Sequence, residues 1–338
     1  MTLQHRERSM RIPIPVCILL LGILLVLPSG AHAPGIATGD VTVVPDAEKS
    51  YAWYGFLDDA DETDRYLMTA EAGTEIRLST SSPDPGTAPP FAVIGPGITT
   101  LDLLPPAINL PEGYGSIVIP VLDSSDPPSY EPFTPMAMYE GASYSFPAPA
   151  AGEYTILVFD PIGGEGGRYI LATGFLEEFS LTEWVGIPVS VLSIRIWQGQ
   201  SLFANLLPLL GAVLIGAWWF RNQISSPFWP GVWLLAIAGF AYIGSGILVF
   251  AQMFIAGLLT GPVPSMMLTA LFAAIPILLG LVLVRIAVRT GPSPSHSDRG
   301  IMAVLGILGL VFWAGLILGP VLAIAAALLP GNRESEPA

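Results

Sequence analysis

The sequence predicts a mixed architecture, an extracytoplasmic all-β sandwich followed by an all-α four-helix transmembrane bundle. Three observations predict it. From about Ser201 to Leu329 the chain is apolar and nearly free of charge, with interruptions where membrane turns would fall. From Pro34 to Gln200 short runs of aromatic and β-branched residues alternate with Gly, Pro and Asp breaks. The first 33 residues form a basic, apolar and small-residue series of the kind that directs export.

In that opening series Arg6, Arg8 and Arg11 precede an apolar run from Ile14 to Leu27, and Ala31-His32-Ala33 reads as a small-residue cleavage site. Residues 1–33 are therefore read as a signal peptide cut after Ala33, the alternative being an uncleaved anchor. Cys17 lies inside the apolar run and is the only cysteine, so the mature chain is expected to carry neither disulfide nor thiol chemistry.

Residues 34–180 are assigned to the sandwich. Strands are predicted at Tyr51 to Leu57, Arg65 to Ala70, Glu75 to Thr80, Phe91 to Ile94, Ser116 to Val121, Glu153 to Phe159 and Arg168 to Thr173. In Glu75-Ile76-Arg77-Leu78-Ser79 apolar and polar side chains alternate, the period of a half-buried strand. No window here carries a helical pattern. Of the 27 acidic residues in the whole chain, 23 lie between Pro34 and Gln200 beside only five basic ones, and net charge is −14. That excess excludes nucleic acid as a partner class and disfavours anionic head groups.

Two pieces of this segment resemble the secreted pre-peptidase C-terminal (PPC-like) β-sandwich family. They are Asp61-Glu62-Thr63-Asp64-Arg65-Tyr66-Leu67-Met68 leading to Ala72-Gly73-Thr74-Glu75-Ile76, and Ala151-Gly152-Glu153-Tyr154-Thr155-Ile156-Leu157-Val158 leading to Gly166-Gly167-Arg168-Tyr169-Ile170-Leu171. The resemblance covers about 120 residues and is interrupted by Pro-rich insertions near Ser82 to Pro90, Leu104 to Pro111 and Asp126 to Pro135. It implies an accessory or binding module and carries no catalytic residue with it.

Two clusters have ligand chemistry. Asp59, Asp61 and Asp64 in the densest acidic run are a candidate calcium site, since several carboxylates there could embrace a hard cation. The other reading is a solvated turn, because the spacing is not that of an EF-hand loop. Met136 and Met138 could offer soft ligands to cuprous copper, or serve as a strand face. No other cofactor is expected. The histidines are His5, His32 and His296, no H-E-x-x-H or G-x-S-x-G occurs, and Lys49 is the only lysine. An enzyme is therefore not the expected class.

Residues 181–200 contain Trp184, Trp197 and Arg195 around Gly186-Ile187-Pro188, a composition suited to the head-group region. They are read as an interfacial connector that seats the sandwich on the bilayer, with a final strand as the alternative. In residues 201–330 apolar blocks of about 20 residues match the ~30 Å of hydrocarbon a span must cross. Helices are placed near Ser201 to Phe220, Trp229 to Gln252, Ser265 to Ile286 and Ile301 to Leu329, and the second apolar run continues to about Leu259. Asn205, Ser245, Gln252 and Thr269 are the polar groups at membrane depth. Pro208 and Pro276 are places where a helix could break, and Gly257-x-x-x-Gly261 and Gly315-x-x-x-Gly319 permit close backbone approach.

Arg221, Arg285, Arg289 and Arg299 place the connections near 221–228 and 287–300 in the cytoplasm, whereas the connection at 260–264 is uncharged. That arrangement sends the sandwich and the tail, residues 331–338, outside a plasma membrane crossed four times. The expected role is non-catalytic, an acidic sandwich at the cell surface that binds a ligand, a glycan or a partner protein of the membrane or envelope. An accessory subunit of a membrane transport complex and a membrane enzyme are the alternatives.

Overall fold

The computed structural model describes residues 32–37, 41–59, 62–100, 110–121, 127–160, 166–224, 228–291 and 293–331. The predicted signal up to residue 31 and the tail from residue 332 lie outside the described residues. The chain forms a β domain of two sheets followed by a helical part.

The strands are β1 (Ala33–Ile36), β2 (Val41–Val43), β3 (Tyr51–Leu57), β4 (Thr63–Ala70), β5 (Glu75–Ser82), β6 (Phe91–Pro96), β7 (Tyr114–Ile119), β8 (Ser129–Glu131), β9 (Met136–Pro147), β10 (Gly152–Phe159) and β11 (Gly167–Thr173). One sheet runs β1-β3-β11-β5-β9-β8 and the other β2-β4-β10-β6-β7. The expected antiparallel pairing holds except at two edges, where β1 joins β3 and β2 joins β4 in parallel. Alternation predicted for β5 is present: Ile76 and Leu78 are buried and Arg77 between them is exposed. Inner faces meet in a core that includes Tyr66, Met68, Phe91, Val93, Ile156, Val158 and Leu171. Tyr66 of one sheet and Tyr169 of the other share a hydrogen bond of 2.8 Å, and Tyr169 also donates to the Asp64 carboxylate. Buried hydroxyls thus satisfy one another while they tie the sheets together.

The connector is a helix, α1 (Leu181–Trp197), and not the final strand that was the alternative for this segment. Its start is a capping box: the Ser180 hydroxyl accepts from the Glu183 N–H and the Glu183 carboxylate accepts from the Ser180 N–H. Glu183 also pairs with Lys49 at 2.7 Å, which fixes the helix start to the sandwich. Then follow α2 (Leu202–Arg221), α3 (Gly231–Thr260), α4 (Met266–Arg289), α5 (His296–Val311) and α6 (Leu318–Leu328). The helices α2, α3 and α4 are each long and apolar enough to cross a membrane. Pro208 and Pro276 sit within unbroken α2 and α4, so neither breaks its helix. The central helix is α3, packed on α2, α4 and α6. Gly239 of α3 and Gly280 of α4 lie so close that a side chain on either would press on the other's carbonyl.

The predicted fourth helix is two helices. A single helix from Ile301 to Leu329 would be about 44 Å long, well beyond the hydrocarbon thickness. Instead residues 312–317 form a turn and α6 runs back along α5. Arg299 donates to the carbonyls of Ala327, at 2.8 Å, and of Leu329, and Gly306 faces Ile324. Gly315, with φ of 65°, supplies the left-handed residue at the tip. Trp313 and Leu316 also hold positive φ, an unfavourable state for large side chains that needs support from the surroundings. That support is tertiary. The Trp313 indole donates to the Trp184 carbonyl at 2.9 Å, and the Gly315 N–H donates to Ser245 at 2.8 Å.

This hairpin brings the described chain back beside the 287–300 connection, whereas the expected single helix would have ended at the opposite side. Trp229, at the start of α3, donates through its indole to the Pro330 carbonyl at 2.8 Å and through its N–H to Gly291. Arg299 lies over the Trp229 ring, 5.6 Å from its centroid. The chain therefore reaches residue 331 at the arginine-bearing end of the bundle. Among the predicted small-residue pairs, Gly315 and Gly319 both pack on Tyr242, whereas Gly261 ends α3 with a φ of 70°.

Cysteines placed singly at Ser295 and Ser335 in a Cys17→Ser background are expected to respond alike to a membrane-impermeant thiol reagent, because only three residues lie between Gly331 and Ser335. Labelling of one position but not the other on sealed cells or vesicles would contradict the hairpin.

Candidate ligand site at the sandwich–helix junction

The third Pro-rich insertion joins the two parts of the chain. The Tyr130 hydroxyl donates to Thr269 at 2.8 Å, Thr269 donates to the Pro132 carbonyl at 2.7 Å, and the Phe133 ring meets Phe272 edge-on at 5.8 Å. On the other side of this contact Trp197 of α1 donates to the Gly55 carbonyl at 2.8 Å and stacks edge-on against Tyr54. Trp184 meets Trp313 with ring centroids 4.6 Å apart. The sandwich, α1, α3, α4 and the tip of the α5–α6 hairpin thus enclose a common space.

That space has two chambers. The first, of about 120 Å³, lies between α1 and the helices, with Leu248, Val249, Pro276, Phe312 and Leu316 as apolar walls. Arg195, Asn205, Ser245 and Gln252 bring polar groups to it. The second, of about 280 Å³, lies under the six-stranded sheet and is lined by Tyr54, Ser129, Glu131, Glu140 and His32 among others. Phe133, Ile187, Val191 and Trp313 line both chambers.

The polar residues are held in fixed arrangements. Gln252 donates to Asn205 at 2.8 Å and to Gln200 at 3.0 Å, and Asn205 donates to the Ser201 carbonyl. Ser245 donates to the Tyr242 carbonyl while accepting from Gly315. Arg195, only 4% exposed, donates from Nη1 to the Pro135 carbonyl and to Gln198 Oε1, both at 3.0 Å. Burial lowers its pKa to about 10, opposed by nearby Tyr54 and Tyr130, so the guanidinium stays cationic at neutral pH. No ion pair with Arg195 is present among the described residues. In the second chamber burial pushes Glu131 up to about 7; hydrogen bonds from the Phe133 and Thr134 amides oppose this, and Glu140 adds to it.

The four polar positions read from the sequence at membrane depth converge here: Asn205, Ser245 and Gln252 line the first chamber, and Thr269 anchors the loop that closes it. Gln252 with Asn205 and Ser245 with Gly315 join different helices or the hairpin turn, and Thr269 reaches the docking loop, whereas the bonds from Asn205 to Ser201 and from Ser245 to Tyr242 are local to one helix. The acidic run is elsewhere. Asp59 is exposed, Asp64 accepts from Tyr169 inside the sandwich, and Asp61 lies outside the described residues. Among the described residues no group of three or more His, Cys, Asp or Glu could hold a metal ion. Met136 is buried and its sulfur accepts from Gln198, while Met138 lines the second chamber. His32 and Ser50 are hydrogen-bonded, but Ser50 is only 2% exposed and presents no hydroxyl to a substrate.

Sequence reasoning missed Tyr130, Phe133 and Trp313 as site residues. A signal for the first two was present in the insertion at Asp126 to Pro135, which departs from the sandwich pattern and carries aromatics among prolines. Trp313 gave none, since a tryptophan in an apolar block reads as lipid-facing. Compared with protein-family models and with curated proteins, the chain matches none.

Glu131 makes the junction sensitive to pH. A carboxyl whose pKa is higher folded than unfolded contributes stability that is complete below the unfolded value, near 4.5, and is lost as pH rises through about 7. The intact protein in detergent is expected to melt at lower temperature at pH 8 than at pH 5.5, and Glu131→Gln should remove on the order of 1 kcal/mol of that difference. Parallel pH profiles for the two proteins would contradict the assignment.

Proposed function

We propose that this chain is a non-catalytic, multi-pass plasma-membrane protein that presents an acidic β-sandwich on the outer face and binds a small apolar or amphiphilic ligand where the sandwich meets the helices. The observation that carries this reading is the two-chambered cleft, apolar in its walls with a few fixed polar groups, which is the general form of a small-molecule site. It also sits between two structural parts, where such sites concentrate.

The orientation is supported by charge. Arg221, Arg289 and Arg299 gather at the helix ends away from the sandwich, as the preference of Lys and Arg for the cytoplasmic face requires. The tail then begins on the cytoplasmic side. Exposed Phe203, Leu207, Leu214 and Trp218 give α2 an outer face that suits lipid. The resemblance of the sandwich to PPC-like domains fits a binding module, and an export signal fits a sandwich held outside. A second reading, as an accessory subunit of a transport complex, is favoured by the α5–α6 hairpin, because backbone that turns back at membrane depth is tolerated where protein or a cavity surrounds it.

The binding reading is tested with a neutral photoreactive long-chain alcohol on the purified protein in lipid nanodiscs. Label is expected on peptides from α3, α4 and the hairpin tip. Val249→Trp, which fills the first chamber, should abolish most of it while leaving the melting temperature within a few degrees. Undiminished labelling of a folded Val249→Trp protein would place the binding on the lipid-facing surface and contradict the proposal.

A further inference from the structure

We propose that the ligand of this site is a single-chain amphiphile with an anionic head group, a long-chain carboxylate, held head-first on Arg195; this rests on the binding reading above. Among the described residues Arg195 is the only charged side chain lining the first chamber. Among the described residues its hydrogen bonds leave from Nη1 and go to a backbone carbonyl and a neutral amide, so neither neutralises it. The planar guanidinium has five donors, and its Nε–Nη2 edge is the one that matches two carboxylate oxygens. A charge kept this deep is costly unless something pairs with it. Among the described residues no side chain does.

The remaining walls select the rest of the ligand. From Gln252 to Ser245 the chamber follows α3 for seven residues, about 10 Å, and Leu248, Val249, Pro276, Phe312 and Leu316 line it between and around these polar groups. A head on Arg195 would therefore lay the first part of its chain against apolar side chains. The volume of about 120 Å³ is close to the ~150 Å³ cavity that accepts one benzene ring, so it takes a head with a short alkyl segment and excludes a two-chain phospholipid. Phe133 and Ile187 line both chambers, so the second is the space adjoining the first that a longer chain would reach. The second chamber contains Glu131 and Glu140, which would repel an anionic head and so fix the polarity of the bound molecule.

The experiment compares three photoreactive probes of equal chain length, a fatty acid, the matching fatty alcohol and the matching alkyl phosphate, on the intact protein in nanodiscs. The wild type is expected to capture the acid at least about tenfold better than the alcohol. Arg195→Gln should remove the preference, and Arg195→Lys should restore part of it. Equal capture of acid and alcohol by the wild type overturns this inference and leaves the binding reading intact, whereas capture of none overturns both. A preference for the phosphate over the acid overturns the carboxylate assignment. Because the acid-to-alcohol ratio is read on the wild type, the test stands even if Arg195→Gln fails to fold.

Discussion

The helical part depends on how Tyr242 is seated. Its ring is fully buried on α3, its hydroxyl donates to the Leu305 carbonyl at 3.2 Å, and Gly309, Gly315 and Gly319 close around it. A methyl group at Gly309 would overlap the Tyr242 hydroxyl, so only glycine lets α5 approach so near. With α5 and the start of α6 both held on one ring, the chain between them has to turn at residues 312–317. The turn then places Trp313 under Trp184 and gives the Gly315 N–H to Ser245. A backbone group away from water must find such a partner inside the protein. The wall of the candidate site is thus a consequence of one aromatic ring meeting three residues without side chains.

The outer side of the site follows a different rule. The sandwich closes its own core around Tyr66, Tyr154 and Tyr169 and contacts the helices mainly through β8, β9 and the loop between them, together with α1. Apolar packing of Tyr54, Met136 and Ile170 on Ile194 is joined there by hydrogen bonds and an ion pair: Tyr130 with Thr269, Trp197 with Gly55, Arg195 with Pro135 and Lys49 with Glu183. Hydrogen bonds of this kind contribute modestly to stability but are costly to leave unmade, so they fix orientation more than they supply adhesion. Space remains between two rigid parts held in this way, and it is here that Arg195 and Glu131 lie.

Much of the fold was legible because the periods were clean. Seven strands are short runs rich in β-branched and aromatic residues between turn residues, and each lies within a few residues of its predicted span. The longest strand, β9, escaped notice because Met136 to Pro147 contains no valine or isoleucine and includes Gly141; its pairing with β5, irregular between Ser79 and Ser81, defines it. The short strands β1 and β2 exist only through parallel partners distant in sequence. The fourth apolar block was misread because hydropathy does not register direction. Its glycines at 306, 309, 315 and 319 were the available sign of a fold-back, but they also suit ordinary helix packing. The polar residues of the site stood out against an apolar background, whereas their convergence is tertiary and had no local signature.

The hairpin folds back so that its tip meets α1 and closes a site at the junction. The most direct measurement is short-linker thiol cross-linking in native membranes, in a Cys17→Ser background, between Trp184→Cys and Trp313→Cys, with Trp184→Cys and Leu328→Cys as the distant pair. Rapid cross-linking of the first pair and none of the second is the predicted result. Cross-linking of Trp184→Cys to Leu328→Cys instead, as a single fourth helix ending near the sandwich would give, would contradict the account.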